Sequence, residues 1–411
     1  MAVRVRIIAL TVLLSLIFAV VGLLINTLDI KIDLISPLSN GFSISSLFGN
    51  KTQKHEKFIY GFLPYWNIKE TENLKYEHLT DVAYFGLYIN PDGSIKKYDS
   101  DGNIEPGYNN WKNNQDLKKS INEAKKYGTR YSLTLISHND ETTENFLNCV
   151  SCWEKLEETT LEELSYHKIS DVHLNFEYST YTDKELTDKF TKFVKHYSNF
   201  IKEHDSNSIL AVSAFADSNR KQRITDIKEI SSSVDLIFIM GYDFRTSGSE
   251  YAGPTAPLDG IGTVAEYDIR TTVKDYIANA PTSKILLGVP YYGYNWPVTT
   301  TEPYSRKSSN NVLGTTDFGA RAQTYQDIMQ IIETYNIQPK WDDVAKVPYF
   351  TYYNSEHDAY RQVYYENKES LKYKFDYANE MQLAGVGIWA LGYDGRYLDL
   401  WHLLESYDKS K

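Results

Sequence analysis

The sequence predicts an α/β fold, a (β/α)8 (TIM) barrel with a small α+β insertion between strands 7 and 8, preceded by an N-terminal transmembrane helix. Three observations predict it: eight short apolar runs with strand-like composition, helical or loop segments between them, and a long apolar segment at the N-terminus. Strand–helix alternation is typical of a parallel sheet covered by helices, and eight such units indicate a closed barrel. A doubly wound open sheet remains an alternative on pattern alone.

The predicted strands recur along the whole chain after the N-terminal segment. They are Phe58–Trp66, Leu79–Ile89, Arg130–Ile136, Asp171–Glu177, Ile209–Phe215, Val234–Tyr242, Lys284–Tyr291 and Gly385–Leu391. The pattern Thr182-x-x-Glu185 predicts a capping box at the start of one intervening helix. The interval of roughly 295–381 is far longer than one helix needs, so we expect the α+β insertion there.

The N-terminus has the features of a membrane segment. Arg4 and Arg6 precede Ile7–Ile25, which is apolar apart from small residues and is long enough to cross a hydrocarbon core of ~30 Å. The basic flank predicts a cytoplasmic N-terminus and an extracytoplasmic remainder. We therefore expect a transmembrane anchor over 1–28, a linker over 29–56 and the barrel over 57–408. A cleaved signal peptide, which would make the protein secreted, remains the alternative.

Composition excludes several classes of function. The formal net charge is −11, so the chain has no general electrostatic attraction to nucleic acid. With 42% hydrophobic and 24% charged residues, the body is neither disordered nor a polytopic membrane protein. Cys149 and Cys152 lack a second pair or a histidine spacing that would complete a metal site, so we expect a local disulfide or two free thiols. We predict neither a cofactor nor a metal, since no nucleotide-binding loop is present either.

A stripe of polar residues runs along the fourth predicted strand. In Asp171-Val-His-Leu-Asn-Phe-Glu177, side chains two apart share a face, so Asp171, His173, Asn175 and Glu177 point together. The apolar residues between them suit the outer face, which packs against helices. The polar set should therefore face the barrel interior, and polar networks at the carboxyl ends of barrel strands mark active sites. A solvated face of an antiparallel strand is the alternative for this pattern.

Two further motifs close predicted strands. Tyr242 and Asp243 follow Met240 where the chain leaves the sixth strand, a position suited to hydrogen-bonding a ligand. Trp389 closes the eighth strand, where an indole would lie across the barrel mouth and suit the face of a sugar ring. Taken separately, the Tyr-Asp pair is equally typical of a simple turn, and a tryptophan at such a position is more often part of the core.

Together these motifs resemble glycoside hydrolase family 18, the chitinase-like barrels. The resemblance extends from Tyr60-Gly-Phe-Leu-Pro-Tyr-Trp66 to Gly385-Val-Gly-Ile-Trp389 and includes Met240-x-Tyr242-Asp243 and Leu287-Gly-Val-Pro-Tyr-Tyr-Gly293. Trp341-Asp342 and Pro348-Tyr349 are similar to its bacterial cell-wall and spore-associated members. The catalytic signature D-G-x-D-x-D-x-E reads Ser170-Asp-Val-His-Leu-Asn-Phe-Glu177 here, so the glutamate is retained and the three aspartates are replaced. The third-strand pattern S-x-G-G is replaced by Ile136-Ser-His-Asn139.

The resemblance implies a retaining, substrate-assisted mechanism for the site residues. Glu177 is the expected general acid and base, and Asn175 is expected to orient the substrate acetamido group through its carbonyl oxygen. Tyr242 is the expected donor to the acetamido carbonyl, with Asp243 shaping the same pocket and Trp389 under the reacting sugar. Further substrate contacts are expected from the residues Tyr65, His173, Tyr291 and Met240.

Two of these expectations concern charge and orientation. His173 is expected either to fix the orientation of Asn175 or to fill the barrel as a satisfied core histidine. An apolar setting is expected to raise the pKa of Glu177, while the missing aspartates predict a more acidic pH optimum than the full signature gives.

The resulting functional prediction is a membrane-anchored, extracytoplasmic glycosidase. Its expected partner is a carbohydrate polymer or oligomer containing β-linked N-acetylglucosamine, such as chitin-like chains or peptidoglycan. The alternative is a catalytically weak or inactive, lectin-like barrel that binds the same glycans, an alternative that the replaced aspartates favour.

Overall fold

The structure is a computed structural model that describes residues 57–308, 319–355 and 358–408. The predicted transmembrane anchor (1–28) and linker (29–56) lie outside the described residues. Within the described ranges, no helix is both long and apolar enough to cross a membrane.

Eight parallel strands close into a barrel, as the sequence predicts. The barrel strands are β1 (Phe58–Pro64), β2 (Asp81–Tyr88), β3 (Arg130–Ser137), β4 (Asp171–Phe176), β5 (Leu210–Phe215), β6 (Leu236–Met240), β7 (Ile285–Pro290) and β13 (Gly385–Trp389). The order around the barrel is β1-β13-β7-β6-β5-β4-β3-β2, so neighbouring barrel strands follow one another in the sequence and the last one pairs with the first.

Helices cover the outside of the barrel and bury the outward side chains of the strands. They are α1 (Pro106–Asn113), α2 (Gln115–Tyr127), α3 (Asp140–Leu147), α4 (Val150–His167), α5 (Lys184–His204), α6 (Ile227–Ile230), α7 (Ile269–Ile277), α8 (Tyr325–Tyr335), α9 (Lys368–Glu380) and α10 (Asp399–Asp408). Short 3₁₀ segments lie at Tyr65–Asn73, Tyr76–His78 and Thr282–Lys284. The largest hydrophobic cluster lies between this helical layer and the strands.

The predicted capping box at Thr182 is wrong by one residue. Helix α5 begins at Lys184, and the side chain of Asp183 accepts the N-cap hydrogen bond from the backbone N–H of Leu186. An aspartate caps as well as a threonine, and its charge also interacts favourably with the positive end of the helix dipole.

The barrel interior is filled by large rings that need glycines beside them. A Cβ at Gly288 would lie 2.4 Å from the ring of Phe238, and a Cβ at Gly387 would lie 2.1 Å from the same ring. This ring lies inside the barrel next to the strands of the two glycines. These glycines therefore make room for an aromatic core that rules out a pore through the barrel.

An antiparallel sheet lies between the seventh and eighth barrel strands. It has the order β10-β11-β12-β8-β9 and is accompanied by helix α8. Its strands are β8 (Tyr292–Pro297), β9 (Arg321–Thr324), β10 (Lys340–Asp342), β11 (Val347–Asn354) and β12 (Ala359–Tyr364). Inside it, the buried guanidinium of Arg361 donates from Nε to Asn295 Oδ1 at 2.7 Å.

The two cysteines form a disulfide, one of the two arrangements that the sequence left open. Cys149 is the N-cap of α4 and Cys152 lies in its first turn. The carbonyl oxygen of Cys152 contacts the turn after β2 so closely that a Cβ at Gly93, where φ is +82°, would lie 1.9 Å from it. This position therefore requires glycine both for its backbone conformation and for space.

Candidate active site

The polar stripe of β4 faces the barrel interior, as the alternation predicts. Val172, Leu174 and Phe176 are buried in the outer hydrophobic layer. On the inward face, Asp171 lies at the amino end of the strand, where it accepts from Arg130 Nε at 2.6 Å.

His173 lies too deep in the barrel to contact a ligand. It is fully buried, with Tyr60 Oη 2.9 Å from Nδ1 and Ser213 Oγ 2.7 Å from Nε2. Burial lowers its pKa to about 3, so it is neutral. The prediction that His173 binds substrate is therefore wrong, and its side chain is a satisfied core histidine.

Glu177, Asn175 and His138 form a hydrogen-bonded cluster at the carboxyl end of the barrel. Asn175 Nδ2 lies 2.8 Å from Glu177 Oε1 and 2.9 Å from His138 Nε2. The third side of this triangle, from His138 Nε2 to Glu177 Oε1, is 3.1 Å. Asn175 is 2% exposed, whereas about a third of each of the other two side chains faces solvent. The cluster therefore has a buried amide and two accessible titratable groups.

The pKa of Glu177 is lowered from its ordinary value, contrary to the expectation of a raised pKa. Burial raises it, but the hydrogen bond and charge of His138 and the hydrogen bond from Asn175 lower it more. The sequence-based argument considered the missing aspartates but not a histidine from the neighbouring strand.

Helix α3 holds the segment that follows Glu177. The carboxylate of Asp140 accepts from the backbone N–H of Ser179 at 2.8 Å and from that of Thr180 at 3.3 Å, as well as from both hydroxyls. The hydroxyl of Tyr178 donates to Glu144 one helical turn further along. Glu177 is thus held from one side by His138 and from the other by the start of α3.

Asp243 collects hydroxyl donors beside the same opening. It accepts from Tyr292 Oη at 2.6 Å, from Tyr294 Oη at 3.0 Å and from Thr255 Oγ1 at 3.3 Å. Desolvation by the surrounding side chains raises its pKa, the three donors lower it, and the charge of Glu177 raises it, with a net upward shift. Its backbone φ of +61° is unusual for a residue with a side chain. Glu177 also acts electrostatically on Tyr242, so both residues after β6 lie within electrostatic range of Glu177.

Aromatic rings gather around Trp389 at the carboxyl end of the barrel. Trp389 is partly exposed and packs edge-on against Phe85 at 4.7 Å and at a tilt against Phe62 at 5.5 Å between ring centroids. Trp66 is 48% exposed, lies 6.4 Å from Trp389 and donates from Nε1 to Tyr393 Oη. The partly exposed indole of Trp389 thus lies at the carboxyl end of β13, where the sequence predicts it, and its role under a sugar ring stays a prediction.

Three other predicted contacts have different positions in the structure. Met240 is 8% exposed and packs in the interior cluster that Trp389 also contacts, so it supports the indole of Trp389. Tyr65 is partly buried and packs edge-on against Trp66 at 4.9 Å. Tyr291 is 1% exposed and lies in the outer hydrophobic layer, so its predicted contact with substrate is wrong. The next residue, Tyr292, takes the cleft-facing position through its bond to Asp243.

The functional residues that sequence reasoning missed are His138 and Trp66. His138 directly follows a buried barrel strand, and that position was the available signal. Trp66 stands at the carboxyl end of the first predicted strand, but only its neighbour Tyr65 was selected. In the part of the chain that the structure describes, no group of three or more His, Cys, Asp or Glu side chains is arranged to hold a metal ion.

Comparison with known protein families identifies, over most of the chain, the family that the sequence motifs resemble. The model for glycosyl hydrolases family 18 matches residues 52–394. The cortical fragment-lytic enzyme of Bacillus subtilis is 25% identical over 62% of this chain and 53% of its own length. The chain therefore spans about half the length of that curated relative.

Two solved structures illustrate the similarity of fold. The spore cortex-lytic enzyme SleL of Bacillus megaterium superposes with a TM-score of 0.66 at 19% identity, covering 86% of this chain and 74% of that one. The group IV chitinase of Ostrinia furnacalis gives a TM-score of 0.71 at 19% identity, covering 85% and 98%. With a family model that matches most of its length, the chain belongs to glycosyl hydrolase family 18.

Proposed function

We propose that this protein hydrolyses glycans that contain β-linked N-acetylglucosamine, with Glu177 as general acid and base. The observation that carries the proposal is the hydrogen-bonded pair of Asn175 and Glu177, 2.8 Å apart, at the open end of a closed barrel beside the aromatic floor of Trp389. The names of similar proteins support the substrate class: one is a cortical fragment-lytic enzyme, and another is a chitinase whose structure holds allosamidin.

In the first step, Glu177 gives its proton to the glycosidic oxygen as the bond from that oxygen to the anomeric carbon breaks. The carbonyl oxygen of the substrate acetamido group forms the new bond to the anomeric carbon, which makes an oxazolinium ion. Glu177 then takes a proton from water as the water oxygen attacks the anomeric carbon and opens the ring. Two displacements at one carbon retain its configuration.

Asn175 can still orient the acetamido group although it is neutral. Nδ2 donates to Glu177 and faces His138 Nε2, which leaves Oδ1 as the atom that accepts from the acetamido N–H. Tyr242 is the proposed donor to the acetamido carbonyl, and the hydroxyls of Tyr292 and Tyr294 hold the neighbouring carboxyl of Asp243.

A substrate panel tests the assignment. Chitin oligomers and muropeptides are incubated with the wild type, with Glu177→Gln and with Glu157→Gln, and products are followed by mass spectrometry. Glu157 is a matched control because it also pairs with a histidine, His196, at 2.8 Å, but on the outer helices. We expect cleavage of at least one glycan class by the wild type and by the control, and none by Glu177→Gln. An unchanged rate in Glu177→Gln would contradict the role of this residue.

A lectin-like barrel is the second candidate, favoured by the absence of an aspartate at positions 173 and 175. Without a second carboxylate, stabilisation of the positively charged intermediate is weaker. Tight binding of N-acetylglucosamine oligomers by the wild type, without release of reducing ends over long incubation, would select this candidate.

We also propose that residues 1–28 anchor the barrel to a membrane and place it on the extracytoplasmic side. The apolar run Ile7–Ile25 and the arginines before it support this arrangement. Fractionation of cells that express the full chain, with and without residues 1–28, tests it. Retention of the full chain in carbonate-washed membranes is expected, and its release into the medium as a shortened chain would instead identify a signal peptide.

A further inference from the structure

Three polar atoms of the cluster around Glu177 lie within hydrogen-bond distance of one another. Asn175 Nδ2 donates to Glu177 Oε1 at 2.8 Å and lies 2.9 Å from His138 Nε2. Glu177 Oε1 and His138 Nε2 are themselves only 3.1 Å apart, and two lone pairs facing each other at that distance repel. A proton between Oε1 and Nε2 turns this repulsion into a hydrogen bond.

The opposite orientation of the Asn175 amide would remove the donor to Glu177. With Oδ1 in place of Nδ2, the amide oxygen would face Glu177 Oε1 and His138 Nε2 without a proton of its own to share with either atom. In the orientation that the structure has, the contact between the carboxyl and the imidazole is the one that needs a proton from the pair itself.

We propose that Glu177 and His138 share one proton, and that His138 is the positioning residue and proton partner of the catalytic acid. This inference rests on the proposed hydrolytic function. The neutral amide of Asn175 cannot hold a proton for Glu177, as a carboxylate could, whereas an imidazole can. His138 follows β3, so the partner comes from the neighbouring strand and not from the catalytic strand itself.

The proton balance of the reaction fits such a pair. With its shared proton the pair has no net charge, either as carboxylic acid and imidazole or as carboxylate and imidazolium. Donation to the glycosidic oxygen leaves the pair with one negative charge at the moment when the substrate gains the positive charge of the oxazolinium ion. Attack by water returns one proton to the pair, so no other proton donor or acceptor is needed.

Other titratable groups also act on Glu177. Tyr88 approaches from β2, with its ring 5.9 Å from that of His138, and its pKa is raised to about 12 by burial. Tyr242, after β6, has a pKa raised well above its ordinary value by burial, so both tyrosines stay neutral in the working range. Asp243, with its raised pKa, is the other carboxyl that interacts with Glu177. The variant Asp243→Asn measures how much Asp243 contributes to the pH profile of kcat/KM.

The test compares pH profiles of kcat/KM for the wild type, His138→Gln and His138→Ala, with a fluorogenic chitobioside as probe. The matched control is His196→Gln, which removes an imidazole that pairs with a glutamate far from the cleft. We expect the wild type to stay active to a higher pH than His138→Gln, because the pair retains the proton that Glu177 must donate. In His138→Gln, kcat/KM falls about tenfold or more at neutral pH and stays within about threefold of the wild type at low pH. Added imidazole should restore activity at neutral pH in His138→Ala.

A uniform loss at every pH in His138→Gln, with no rescue of His138→Ala by imidazole, would show a purely structural role and overturn the inference. An unchanged profile would overturn it as well. In both cases the proposed function still holds if the wild type cleaves the probe and the Glu177→Gln variant does not. A wild type that is inactive on the probe and on the whole glycan panel overturns both proposals.

Discussion

Replacing Asn175 with aspartate should move the pH dependence of catalysis toward alkaline values. The substitution removes a donor 2.8 Å from Glu177 Oε1 and puts a carboxyl in its place. Two carboxylates this close cannot both be ionised without strong repulsion, so the pair retains a proton to a higher pH.

The size of the expected pKa shift follows from the distance between the two carboxyl groups and from the exposure of Glu177 to solvent. Two unit charges ~3 Å apart repel by roughly 5 kcal/mol at an effective dielectric constant of 20 and by about 1.4 kcal/mol in bulk water. Because about a third of the Glu177 side chain is exposed, the lower half of this range applies, and His138 offsets part of it. At about 1.4 kcal/mol per pKa unit, the pKa of Glu177 should rise by roughly one to two units.

The assay is the pH profile of kcat/KM with a fluorogenic chitobioside. The general acid must be protonated to act, so a raised pKa moves the alkaline limb of Asn175→Asp upward by about one to two pH units. Asn207→Asp, which adds the same charge at an exposed position near Arg130, controls for a general charge effect. A limb that stays in place or moves toward acid would refute the electrostatic reasoning.

Three further predictions concern the surroundings of the acid. Tyr242→Phe should lower kcat about 100-fold by removing the expected donor to the acetamido carbonyl, and a change of less than threefold would contradict that role. Asp140→Ala releases the hydrogen bonds to Ser179 and Thr180, so kcat should fall about tenfold with little change in KM, whereas the exposed control Asp188→Ala should not differ from the wild type. Asp394 is 2% exposed, and burial raises its pKa to about 6, above the unfolded value of about 4. The contribution of Asp394 to stability is therefore present at low pH and lost as the pH rises toward and through 6. Relative to Asp394→Asn, the unfolding free energy of the wild type should fall by up to roughly 3 kcal/mol between about pH 4 and pH 7. Parallel pH dependence of the two proteins in urea unfolding would refute this assignment.

Most of the barrel was predictable because its strands repeat one simple pattern. The alternation along β4 placed Asn175 inward and Phe176 outward, and the structure has both orientations. The same rule failed at the end of β7, where Tyr291 points outward and Tyr292 takes the cleft position. A shift of one residue reverses the face of a side chain, and sequence patterns do not fix strand ends to one residue.

The depth of a side chain in the barrel and its contact partners were harder to predict from the sequence than the face to which the side chain points. His173 does point inward, but Tyr60 and Ser213 occupy both of its ring nitrogens inside the barrel. The lowered pKa of Glu177 depends on His138, which lies 39 positions earlier and meets it only because β3 and β4 are neighbours. Contacts of this kind arise from the folded arrangement of strands, and no local spacing encodes them.

The central claim is that Glu177 performs retaining hydrolysis although position 175 holds an amide. Time-resolved proton NMR of N-acetylglucosamine tetramer cleavage measures which anomer is released first. The account predicts the β-anomer from the wild type before mutarotation and no release from Glu177→Gln. Initial release of the α-anomer, or equal release by the two proteins, would contradict it.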